Sequence, residues 1–92
     1  MIKSFHHKGL ERFFTSGSKA GIIPDHAARL RILLTDLNAV TQVNDLDTPG
    51  YRLHQLTGDQ AGRWSLTVRA NWRITFDFTE GDAYIVDYED YH

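Results

Sequence analysis

The chain has 92 residues, 41% of them hydrophobic, and ten Lys and Arg against twelve Asp and Glu leave a net charge of −2. That is one domain's worth of chain, expected over residues 1–92, with enough apolar surface for a two-layer core. The absence of cysteine excludes disulfides, thiolate metal sites and cysteine nucleophiles, and the mild charge argues against a sequence-blind nucleic-acid coat.

Residues 5–14 carry Phe5, Leu10, Phe13 and Phe14 at spacings of three to five, which predicts a short amphipathic helix ending near Gly17. Lys3, His6, His7 and Lys8 interrupt this start before a signal-peptide core forms, and no run approaches the ~18 apolar residues of a membrane span, so a cytoplasmic protein is expected. Residues 1–5 suit an edge strand. Ser16 to Gly21 reads as a loop. Pro24 and Asp25 suit the first turn of a second helix, whose stripe is Ala27, Leu30, Leu33, Leu34 and Leu37. That helix fades by Val40, and the stretch from Asn44 to Pro49-Gly50 is turn-rich.

After Gly50 the period changes to two. Trp64, Leu66 and Val68 alternate with polar residues, as do Trp72, Ile74, Phe76 and Phe78. Residues 51–56 and 83–88 read as further strands. The fold class is therefore α+β: two N-terminal helices packed on one face of an antiparallel β-sheet.

Side-chain parity then places the charges. Arg69 belongs to the polar face and Trp72 to the apolar one, so a two-residue turn at Ala70-Asn71 would break alternation. An odd loop is expected, pairing Val68 with Trp72 and gathering Arg69, Asn71 and Arg73 at one end of the uncovered face. A three-residue turn at Glu80-Gly81-Asp82 would set Asp90 level with Trp72 and Glu89 level with Arg73, with Tyr91 and His92 just beyond. All ten Lys and Arg precede residue 74, whereas residues 74–92 hold six carboxylates, so basic hairpin and acidic end meet at one place. His54 lies in the strand feeding it.

Arg69, Arg73, Asn71, Asp90, Tyr91, His92 and His54 have the composition of a phosphodiester site. Arginine forks a phosphate and stabilises transition-state charge. Histidine moves protons near neutrality, and a carboxylate can orient it. Aromatic rings can stack a base. RNA cleavage through the neighbouring 2′-hydroxyl needs this base, acid and clamp and no metal. The structural readings stand beside it: Arg73 as a cross-strand partner of Glu89, residues 90–92 as a frayed tail, His54 as an ordinary strand-edge histidine, Asn71 as a turn residue, and Trp64 and Trp72 as core. His6 and His7 do not share a helix face and make no metal set with His26; no metal or cofactor is expected.

The segments RWSLTVRANWRITFDF (63–78) and GDAYIVDYEDYH (81–92), with YRLHQLTGD before them and MIKSFHHKGLERFF at the start, resemble the HigB toxins of the RelE superfamily over nearly the whole chain. The resemblance implies a RelE-like fold with its site on the concave sheet face. It implies a toxin that cuts messenger RNA in the ribosomal A site, and a HigA-type helix-turn-helix antitoxin as partner. It assigns catalysis to His54, Arg73, Asp90, Tyr91 and His92 and RNA binding to Arg69 and Asn71. Relatives can carry a lysine shortly after the first histidine, where this chain has Thr57; Arg52 or Arg63 would substitute. The alternative is a non-enzymatic binder of the same fold, like the ParE-type toxins that act on DNA gyrase.

Overall fold

The computed structural model describes residues 1–90, so Tyr91 and His92 lie outside the described residues. Helix α1 spans Lys8–Ser16 and α2 spans Ala27–Ala39, α2 being led in by a short turn of 3₁₀ helix over Pro24–His26. Four strands follow: β1 (His54–Gln55), β2 (Trp64–Arg69), β3 (Trp72–Thr79) and β4 (Asp82–Asp90), antiparallel in the order β1-β2-β3-β4. The expected α+β class is observed. No helix among the described residues is long and apolar enough to cross a membrane.

The first helix starts later than the apolar spacing suggests because the segment before it belongs to the sheet. Ile2 and Phe5 form isolated parallel bridges with Ala83 and Val86, so the expected edge strand is reduced to two points of pairing along β4. His7 then caps α1, its Nδ1 accepting from the Leu10 amide at 2.9 Å, and Gly17 closes the helix in the left-handed region at φ 78°. The α2 stripe is buried as expected, facing Leu66, Val68, Ile74, Phe76 and Val86 in a single apolar cluster. Burying each such side chain contributes about 1.5–3 kcal/mol. Trp64, Trp72 and Phe78 are half-buried at its margin.

Three local expectations are corrected. The strand expected over 51–56 shrinks to His54–Gln55. Arg52 adopts φ 53°, which breaks the extended run, and Tyr51 instead turns inward, its hydroxyl donating to the Asp36 carboxylate. Arg29 on α2 donates to Gly50 O at 2.6 Å and so holds the loop there.

The β2–β3 hairpin does use the two-residue turn Ala70-Asn71, with Arg69 opposite Trp72 and Ala70 at φ 51°. Parity is restored by a β-bulge between Thr67 and Arg69, where Val68 is the extra residue. Val68 stays in the core, while Arg69 is carried to the side of Trp72 rather than of Arg73.

The β3–β4 turn is likewise Glu80-Gly81, two residues at φ 49° and 84°, pairing Thr79 with Asp82. The missing residue reappears as a second bulge, in β4, where Ile85 (φ 53°) and Val86 together stand opposite Phe76, between the Asp77–Tyr84 and Thr75–Asp87 pairs. Beyond it Asp90 stands level with Trp72 and Glu89 level with Arg73, the register expected, reached by a different route. The burial phase of β4 records the slip: Ala83 faces in, Ile85 is 46% exposed, and Val86 and Tyr88 face in again.

Candidate active site

The sheet face away from the helices carries hydroxyls at its centre. Ser65 and Thr75, paired across β2 and β3, are both buried there. Arg63 lies over them. Its Nη2 donates to Thr75 Oγ1 at 3.1 Å and to Ile85 O at 2.8 Å, and its Nη1 is 3.3 Å from Asp77 Oδ1. Arg63 is thus committed to the scaffold and does not replace a phosphate-binding lysine.

Beside this floor a cleft of about 720 Å³ opens between β1 and the β2–β3 tip, lined by Arg52, His54, Thr67, Asn71, Trp72 and Arg73 among others. A second lobe of about 300 Å³ continues past His54 and Arg73 toward Gln55, Thr57, Asp59 and Gln60. His54 and Arg73 are the side chains common to both lobes that the sequence had marked.

Arg73 rises from β3 opposite Thr67 on one side and Glu89 on the other. Its Nη2 is 3.3 Å from Glu89 Oε1, which also accepts from Gln60 Nε2 at 3.3 Å. The cross-strand ion pair and the cleft position coexist: Glu89 holds a guanidinium that also faces the cavity. His54, on β1 opposite Ser65, has Nδ1 3.1 Å from Arg52 O. A carbonyl only accepts, so Nδ1 carries the proton and the neutral ring keeps its lone pair on Nε2.

Asn71 sits in the hairpin turn and lines the cleft; Arg52 lines it too, supplying a cation. Arg69 does not. The Val68 bulge turns it toward Trp72, near His26, where its charge opposes protonation of that histidine. Asp90 ends the described part of β4, level with Trp72 at the same end of the sheet. The assignments to Tyr91 and His92 fall outside the described residues.

Sequence reasoning missed His26. It is 5% exposed, lies edge-on to Trp72 with ring centroids 5.6 Å apart, and shares a hydrogen bond of 2.5 Å with Tyr88 through Nδ1. Burial chiefly, then Arg69, lowers its pKa against a smaller upward pull from Asp25; burial raises that of Tyr88. The pair is therefore neutral, and it props the ring that walls the cleft. The signal was present: His26 precedes Leu30 by four, so the α2 stripe extends one turn further back. Among the described residues, no three His, Asp or Glu side chains converge as a metal site.

Residues 3–92 match the family described as the RelE-like toxin of type II toxin–antitoxin system HigB. The protein named Endoribonuclease HigB from Proteus vulgaris is 50% identical over 92 residues, all of both chains. A solved structure of a YafQ mutant from E. coli shares the fold with a TM-score of 0.59 at 15% identity, covering 98% of this chain and 93% of that one. By the family match over residues 3–92 and the full-length identity, the chain belongs to the HigB family of RelE-like toxins of type II toxin–antitoxin systems.

Proposed function

We propose that this toxin is an endoribonuclease that cuts messenger RNA in the ribosomal A site, and that a HigA-type helix-turn-helix antitoxin neutralises it. One observation carries the catalytic part: His54 is held with Nδ1 3.1 Å from Arg52 O, in a cleft it shares with Arg73. The full-length identity to a protein named as an endoribonuclease supports the same reading.

In this mechanism Nε2 of His54 takes the proton of the 2′-hydroxyl as that oxygen attacks the adjacent phosphorus. The P–O5′ bond breaks, and the leaving oxygen takes a proton from His92, with Asp90 and Tyr91 orienting the donor. The products are a 2′,3′-cyclic phosphate and a 5′-hydroxyl. Arg73, braced by Glu89, meets the charge that builds on the phosphoryl oxygens. Arg52 supplies the second cation where Thr57 leaves none, Asn71 contacts a base, and Arg69 adds positive charge outside the cleft lining.

The test is incubation of the purified toxin with translating ribosomes, followed by mapping of new 5′ ends on the messenger. Discrete cuts within the A-site codon are expected. Intact messenger together with inhibition of DNA gyrase supercoiling would favour the non-enzymatic reading instead.

A further inference from the structure

The smaller lobe of the cleft differs chemically from the larger. The larger is walled by Trp72 and Leu53 and has Arg52 at its edge. The smaller carries Gln55, Thr57, Asp59 and Gln60, and among the described residues the one Lys or Arg lining it is Arg73, at the boundary between the lobes. Its volume of about 300 Å³ stands at the lower end of small-ligand sites.

The two glutamines are oriented by their partners. Gln55 Nε2 donates to Gly62 O at 3.1 Å, and Gln60 Nε2 donates to the Glu89 carboxylate at 3.3 Å. Carbonyl and carboxylate oxygens only accept, so neither amide can be flipped without losing its bond. Each glutamine therefore spends donor capacity on the scaffold and keeps its Oε1 as an acceptor. Asp59 adds a carboxylate, which when ionised only accepts. The lobe is rich in acceptors, two of them on amides fixed by the protein.

His54 and Arg73 border both lobes, so a phosphodiester bound between these two side chains would have one lobe on each side for its flanking nucleosides. We infer that the Gln55–Gln60 lobe is a base-reading subsite that selects, at one position next to the cut, a base bearing an exocyclic amino group over uracil. This inference rests on the endoribonuclease reading of the cleft. Cytosine presents N4–H₂ where uracil presents a carbonyl oxygen, at nearly equal size. An acceptor facing uracil O4 loses a bond and meets a like dipole, which costs about tenfold in kcat/KM for one well-formed contact.

The test is single-turnover cleavage of ribosome-bound messengers that differ only by cytidine or uridine at each nucleotide flanking the cut. Wild type should prefer cytidine about tenfold at one of the two positions. Asp59→Lys, at an exposed residue with no hydrogen bond or ion pair in the structure, places a donor among the acceptors and should abolish or reverse that preference. Asp59→Glu should retain it, and Gln55→Met should weaken it. The other flanking position should not respond. Equal cleavage of both pyrimidines by wild type, or a preference unchanged in both Asp59→Lys and Gln55→Met, overturns the inference while leaving the nuclease reading intact. No cleavage by wild type overturns both.

Discussion

Arg73 and Glu89 face each other across β3 and β4, with Nη2 and Oε1 3.3 Å apart, and the guanidinium of that pair also walls both lobes of the cleft. The carboxylate fixes a fork that would otherwise sample many rotamers. Arg73 is 13% exposed and Glu89 29%, so the pair is shielded enough to hold its geometry and open enough to meet a phosphate.

Arg73→Ala should lower single-turnover cleavage about 10²–10³-fold, the usual cost of losing a transition-state charge contact. Arg73→Lys should recover only part, because a point charge does not reproduce the fork. Thermal melts should show a loss on the order of 1 kcal/mol, since Glu89 keeps its bond from Gln60. Wild-type cleavage by Arg73→Ala would remove the residue from the site.

His54→Gln should lower the cleavage rate about 10²–10⁴-fold with little change in melting temperature, because the ring is exposed and its one hydrogen bond among the described residues is to a neighbouring carbonyl. His92→Gln and Asp90→Asn, measured alongside, test the acid side of the same reaction. Wild-type rates for both histidine variants would refute acid–base chemistry by this pair.

Acidification should destabilise the fold through His26. Its folded pKa lies below the unfolded value of about 6.5, so the unfolded chain binds the extra proton first. The stabilisation is full above about 6.5 and is lost as pH falls from there toward the folded value. Melting temperature should fall between pH 7.5 and 5.5, measured by circular dichroism. His26→Phe should flatten that slope even though it lowers stability near neutral pH by removing the His26 bond to the Tyr88 hydroxyl, which keeps its backbone bond at Ile23.

Arg63→Met should destabilise without lowering phosphate affinity. It removes two hydrogen bonds and an ion pair from a group 15% exposed, leaving Thr75 Oγ1 and Ile85 O to find other partners, at about 2–3 kcal/mol. A urea titration measures the loss. A stable Arg63→Met that binds messenger poorly would return Arg63 to the site.

The sheet, both helices and the core were legible because apolar period reports directly on which face is buried: Leu30, Leu34, Ile74 and Phe76 could go nowhere else. The bulges at Val68 and Ile85 were not, because a bulge leaves the apolar count unchanged and alters only its phase. Alternation read at face value therefore put Arg69 beside Arg73. The level of Glu89 with Arg73 survived because a wrong turn length and an unseen bulge differ from the true path by the same one residue. His54 and Arg73 were legible as candidates, by residue type and resemblance, and the structure puts both on the cleft. The lobe of Gln55, Asp59 and Gln60 was not, since amides reveal which end faces a ligand only once their partners are known.

The Ile85 bulge separates two properties that usually travel together in a strand. With a two-residue turn at Glu80-Gly81, a β4 lacking Ile85 would run without interruption from the Thr79–Asp82 pair to the Arg73–Glu89 pair, every other side chain keeping its face. What would vanish is the bend a bulge imposes, along with the amide that bonds Ser4 Oγ and the carbonyl that anchors Arg63. A single-codon deletion therefore makes curvature a nearly independent variable: the same residues would line a flatter sheet, and any change in cutting rate could be assigned to the bend after correction for the lost Arg63 and Ser4 bonds.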